Sequence, residues 1–386
     1  MIPLVKNTIS FEEIKCLQKW LDGNPRLTKG ENTVSYEEEW SKKIGCKHSV
    51  FVNSGSSAIL LSLYCLMEQG RLKRGDKVIV PAVSWSTDLS PVIQLGLNPI
   101  LCDCNLNNLS IEIDSFKVIA EKLNPKALIL VSVLGLVPEM DEIVNICSQN
   151  DIILIEDSCE SLGSSYKNKN LGSFGAMSCF STYFGHHIST IEGGMICTNE
   201  RKTYNLLKSL RSHGWDRDMD EDFKDEIKKK YEVKDDFESL YKFYYCGFNF
   251  RSTDLQAFLG LGQIAKLENI ITSRNDNYNL YNSLIKNNFW KSPESSKDKY
   301  VSNFAYPVIH PERKSIIKDL MKNEVQTRPL ICGSLGRQPF WTRAFGESAF
   351  KNADLINDYG FYLPNNHEMN KDEIHFISNI INRHTK

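Results

Sequence analysis

The run DKVIVPAVSWSTDLSPVIQLGLNPILCD, residues 76–103, holds two short apolar stretches, Lys77–Pro81 and Pro99–Asp103, around a segment of helical spacing from Ser86 to Leu95. Short apolar runs bounded by turn residues read as buried strands, and a helix between two of them reads as a crossover joining parallel neighbours. The unit repeats downstream. Ala127–Val133 and Ile152–Glu156 read as strands, and Ile113–Leu123 and Met140–Gln149 as helices. This alternation predicts an α/β fold, a mainly parallel sheet sandwiched by helices. Ligands on such sheets gather at the carboxyl ends of the strands. Trp85 follows one such end and Asp157 another. Each alone has a plain structural role available, the tryptophan as a core lid and the aspartate as a helix cap.

Upstream, residues 10–22 keep apolar positions at helical spacing behind a serine and acidic residues, and Asn24-Pro25 ends that helix. After a turn at Lys29-Gly30, Ser35–Ile44 reads as a second helix and His48–Val52 as a strand. Asn53-Ser54-Gly55-Ser56-Ser57 then leads into the apolar helix Ala58–Met67. A strand, a small polar loop and a helix start can hold a phosphate with free amide donors and the positive end of the helix dipole. A capped helix with a serine-rich lead-in fits the same residues.

Downstream, FSTYFGHHISTIEGGMIC, residues 180–197, reads as a strand end, a loop with two imidazoles and a second strand re-entering the core. Gly193-Gly194 permits positive φ or a close backbone approach at the turn. No lysine occurs from Asn170 to Arg201. Residues 201–245 are charged and helical, with Asp216–Asp236 expected as an exposed, solvated insertion. Tyr244–Gln263 is a turn running into an apolar helix capped by Thr253. From about Leu267 a helix, strands around Asn303–Val308, a helix from Lys314 and a terminal helix from Lys371 suggest a smaller α+β lobe.

A formal net charge of −2 gives no reason to expect nucleic acid or an anionic membrane as partner. No apolar run approaches the roughly 20 residues of a membrane span, and the first residues lack the features of a signal peptide. Eleven cysteines, odd in number and scattered, point to reduced thiols in a cytoplasm. Cys102 and Cys104 share a strand end without further ligands nearby, so they read as core or rim thiols, and no metal is expected.

Taken together, the opening IPL, LTKGENTVSYEEEW, VNSGSSA, VPAVSWSTD, EDSCESLG, GSFGAMSCFS, IEGGMICTNE, LRSHGWDRD, GFNFRSTDLQAFLG and TRPLICG resemble the nucleotide-sugar aminotransferase and dehydratase family over nearly the whole length. The resemblance implies the aspartate-aminotransferase-type fold of pyridoxal phosphate enzymes, with a large cofactor-binding domain over 1–265 and a small C-terminal domain over 266–386. Six residues before the glutamate of the EGG turn, that family has a lysine that holds the cofactor covalently. Here the position is His186. The exchange implies the 3-dehydratase branch, in which pyridoxal 5′-phosphate is converted by L-glutamate to pyridoxamine 5′-phosphate and His186 serves as acid and base. The implied substrate is a GDP-linked 4-keto-6-deoxy hexose or a heptose analogue, the products a 3-deoxy-4-keto sugar and ammonia.

By the same resemblance, Gly55, Ser56 and Ser57 match the phosphate loop and Ser181 a further phosphate or cofactor contact. Trp85 matches the aromatic residue on the pyridine ring, and Asp157 the carboxylate facing the ring nitrogen. Glu160 stands near the ring hydroxyl, where aminotransferases usually have glutamine. Asn249 and Arg251 match residues that reach across a homodimer interface toward phosphate or substrate, and His213 is a further candidate from the neighbouring subunit. His187 rivals His186. An aminotransferase working without its lysine, or a non-catalytic relative, are the alternatives. A related CDP-sugar branch needs an iron–sulfur cluster, and the absence of cysteine between Arg201 and Tyr245 counts against it.

Overall fold

The computed structural model describes residues 1–385. At its centre is a seven-stranded sheet of His48–Val52 (β1), Lys77–Pro81 (β2), Asn98–Cys102 (β3), Ala127–Val131 (β4), Ile153–Asp157 (β5), Met177–Ser181 (β6) and Gly194–Thr198 (β7). The spatial order is β1-β7-β6-β5-β4-β2-β3. β7 is antiparallel to both neighbours, and the remaining pairings are parallel. β4 is buried at every position, as a strand covered on both faces must be. It stops at Val131, short of the expected Val133, because the chain turns through Val133–Gly135 with Leu134 at φ 52°. Cys102 and Cys104 are both buried in the core beside β3. Among the described residues, no helix is long and apolar enough to cross a membrane.

Two expectations are corrected. The helix placed at Ser35–Ile44 begins four residues earlier, at Glu31. Its start is held from across the chain: Asp254 accepts the N–H groups of Gly30 (2.7 Å), Asn32 (3.1 Å) and Thr33 (2.9 Å), and the Thr33 hydroxyl (2.7 Å). A cap supplied more than 200 residues away leaves no local signature. Asp254→Ala would strand these buried donors and cost about 3 kcal/mol, read as a lowered urea midpoint.

The second correction concerns Asp216–Asp236. Helix Glu221–Lys230 is mostly solvated as expected, but the lead-in is tied down. Asp216 and Met219 are buried, Asp218 lies 3.6 Å from the buried Arg211, and Asp220 pairs with Lys208 (2.9 Å) and Arg201 (2.8 Å). Charge density alone reads as a solvated face; here it is an ion-pair network against helix Arg201–Arg211.

Beyond Leu267, a small antiparallel sheet of Tyr306–Ile309 (β8), Arg328–Pro329 (β9) and Gly360–Leu363 (β10) has the order β8-β10-β9. Helix Lys371–Asn382 buries Ile374, Ile377 and Ile381 in the same core as Tyr278 and Tyr281 of helix Leu267–Leu284. The first residues of the chain join this region. Ile2 pairs in parallel with Val325, and the Leu4 N–H donates to Gln326 Oε1 at 3.1 Å.

Candidate active site

A cavity of about 440 Å³ opens at the carboxyl ends of the central strands. Asp157 ends β5, Ser181 ends β6, and Trp85 follows β2 by four residues. All three line the cavity with Gly55, Ser56, Glu160 and His186. One wall is the start of helix Gly55–Glu68, where Ser54 Oγ accepts the Ser57 N–H at 3.1 Å. Ser57 is thus engaged in the cap and does not line the cavity, whereas Gly55 and Ser56 do.

The glycines of the EGG turn act through close approach, not positive φ. A Cβ on Gly194 would lie 2.3 Å from the Ser54 carbonyl, and one on Gly55 would lie 2.8 Å from Ser181 Cβ. The left-handed residue of the turn is instead Ile191, at φ 71°. Bare backbone at 55 and 194 brings the helix start, β6 and β7 into contact.

His186 stands at the cavity wall with its ring 5.3 Å from that of Phe304. Burial pushes its pKa down to about 4; a backbone contact with Cys159 opposes the fall and the buried Arg274 adds to it. The imidazole is therefore neutral at pH 7, and its Nδ1 has no hydrogen-bond partner. A neutral ring with one unpaired nitrogen can take up a proton. His187 points the other way. It is fully buried, its Nε2 lies 3.1 Å from the Ser302 carbonyl oxygen, and it does not line the cavity.

Asp157 is only 7% exposed, and its Oδ1 accepts the Cys159 N–H at 2.9 Å. No lysine or arginine forms an ion pair with it among the described residues. A buried carboxylate lacking a counter-cation fits a pyridinium nitrogen. Trp85, 54% exposed, offers an aromatic face to the same space. Burial pushes the Glu160 pKa up to about 8, against the Leu134 N–H that donates to it at 2.7 Å. Protonated at pH 7, its carboxyl can donate as a glutamine amide would. The phosphate loop, aromatic face, buried carboxylate and neutral acid form a donor and acceptor set that fits pyridoxal phosphate.

His213, Asn249 and Arg251 do not join this cavity. They sit together elsewhere: Ser212 bridges Asn249, the His213 N–H donates to Phe248 O at 2.7 Å, and Arg251 lies over the Trp215 ring at 5.8 Å. Conversely, Leu4, Val5, Tyr183, Phe304, Gln326, Arg328 and Tyr362 line the cavity without having been singled out. The TRPLICG stretch that carries Arg328 was the available signal. At the N-terminal wall the opening IPL, which includes Leu4, belongs to the family resemblance, but only long-range pairing with residues 324–326 places it at the cavity.

The chain belongs to the DegT/DnrJ/EryC1/StrS aminotransferase family, which it matches over residues 7–382. Within that family it is 33% identical to a GDP-4-keto-6-deoxy-D-mannose 3-dehydratase of Escherichia coli O55:H7, over 98% of this chain and 99% of the relative. A 3-dehydratase of the same description from Yersinia pseudotuberculosis is 32% identical over 99% of this chain and 98% of its own. A solved structure of GDP-4-keto-6-deoxymannose-3-dehydratase with a trapped PLP-glutamate geminal diamine has a TM-score of 0.91 and 32% identity, covering 99% of this chain and 100% of that one.

Proposed function

We propose that this protein is a pyridoxal phosphate-dependent 3-dehydratase of a GDP-linked 4-keto-6-deoxy sugar, with L-glutamate as amino donor. One observation carries the reading: no lysine is among the residues lining the cavity, and an imidazole, His186, faces it instead. Without a lysine amine the cofactor is held by noncovalent contacts, and a bound amine is not passed back to the protein. The bound cofactor supplies an electron sink and carries the amine taken from glutamate.

The residues then divide the work. Gly55, Ser56 and the helix start bind the phosphate, with Ser57 fixing the cap and Ser181 closing the loop from β6. Trp85 covers the ring, Asp157 keeps its nitrogen protonated, and Glu160 donates toward the ring hydroxyl. His186 removes a proton and returns one to the departing 3-hydroxyl. The overall balance closes: the sugar loses one oxygen, glutamate becomes 2-oxoglutarate, and ammonia is released. Residues 1–265 form the cofactor-binding domain in this reading and 266–386 the smaller one; the eleven free thiols suit a cytoplasmic setting.

We assign His213, Asn249 and Arg251 to the cavity of a second copy in a homodimer, because they cluster away from their own. Arg251 Nη1 is buried without a partner, and Phe237, Tyr241 and Phe243 are exposed close by in sequence. Mixing inactive His186→Asn and Arg251→Ala subunits is then expected to restore about a quarter of wild-type activity, since half of randomly formed dimers are mixed and each holds one intact site. No recovery after subunit exchange would rule out a place for Arg251 in the partner's cavity.

The deciding experiment incubates the protein with pyridoxal phosphate, glutamate and GDP-4-keto-6-deoxymannose, and follows sugar mass and ammonia together. Loss of one oxygen with ammonia released is expected. An aminated sugar would assign the protein to transamination instead.

A further inference from the structure

Asp157 is not the only carboxyl at the floor of the cavity. Behind it lies Asp88, the third residue of helix Ser86–Gln94, wholly buried and outside the cavity lining. One of its oxygens, Oδ2, accepts the Trp85 N–H at 3.1 Å. The other, Oδ1, is buried without a hydrogen-bond partner among N–H and O–H donors. The Asp157 carboxyl lies within reach of it, and two carboxyl groups can hydrogen-bond to each other only when one carries a proton.

Two carboxylates this close, in a region without a cation, cannot both ionise; one proton must lie between them. The surroundings decide its place. Asp157 opens onto the cavity and the cation it would hold there. Asp88 faces Asp157, Cys159, Glu160, Cys179 and Cys332, which supply no positive charge. Burial, with the neighbouring Asp157 next in weight, pushes Asp88 well above the usual carboxylate range.

The geometry points to Asp88 as a positioning residue: it keeps a proton on Oδ1 and donates it to Asp157, holding the Asp157 carboxylate ionised and aimed into the cavity. The pair then carries one negative charge, matching one pyridinium. The same side chain accepts the Trp85 N–H, so the groups above and beside the cofactor ring are set by one residue. This role rests on the cofactor assignment made above.

Asp88→Asn and Asp88→Leu test it. The asparagine can accept the Trp85 N–H and donate an amide N–H to Asp157, as the protonated acid does. Leucine can do neither. Pyridoxal phosphate affinity, read by tryptophan fluorescence without sugar, is expected to stay within about threefold of wild type in Asp88→Asn and to weaken tenfold or more in Asp88→Leu.

A second readout needs no cofactor. The folded protein holds a proton on Asp88 that the unfolded chain releases above about pH 4, so wild-type stability is eroded as pH rises toward the folded-state pKa. The Tm advantage of cofactor-free Asp88→Asn over wild type should therefore grow between pH 5 and 8. An advantage independent of pH, or an asparagine variant that binds cofactor as poorly as the leucine one, would overturn the role. If Asp88→Leu does not fold, the asparagine comparison decides alone. If the wild type binds no pyridoxal phosphate, the cofactor assignment fails, while the Tm comparison still settles where the proton lies.

Discussion

His186→Asn is expected to lower kcat by about 10²–10⁴-fold while leaving cofactor affinity little changed. Asparagine fills much of the same space but cannot take up and return a proton. The ring makes no hydrogen bond through Nδ1, so its removal strands no partner at that atom. The pH profile adds an independent check. Because kcat/KM reports groups of the free enzyme, its acid limb should fall near pH 4, where burial places His186, and not near 6.5, where unperturbed imidazole titrates. Activity is lost below that limb because the base has already gained its proton. A decrease of less than tenfold in the variant would exclude His186 from the proton transfer.

Asp157→Asn is expected to reduce kcat by a factor on the order of 10³. The amide keeps the shape and can still accept the Cys159 N–H, but it carries no charge to hold a proton on the ring nitrogen. The loss should appear mainly in kcat, with a change in the absorbance of the bound cofactor, because the phosphate loop and Trp85 are untouched. Equal effects on kcat and on the folding midpoint would indicate a structural carboxylate instead.

The parts of this molecule that were legible in the sequence are those set by local rules. Period and length located the strands around VIVP, ALILV and ILIED, because each is an apolar run between turn residues. The family's lysine position, six residues before Glu192, singled out His186 over His187, and of the two only His186 lines the cavity. Illegible features were made by residues far apart. Asp254 starts a helix 221 residues upstream of itself, and Gln326 fixes Leu4 at the cavity edge. Asp88 reads as an ordinary third-position acid of a helix; only the fold sets it against Asp157. Gly193-Gly194 offered two explanations, and the crowding around Gly194 selects between them.

The pairing of the first residues with residues 324–326 has a consequence for biosynthesis. Leu4 is translated long before its anchor, since residues 324–326 follow more than 300 residues later. At about 5–20 residues per second that delay is roughly 16–65 s. Through this interval the central sheet can assemble while the cavity lacks one wall, so a nascent chain has no finished site to fill. Cofactor capture is thereby postponed until the segment around Gln326 has been made.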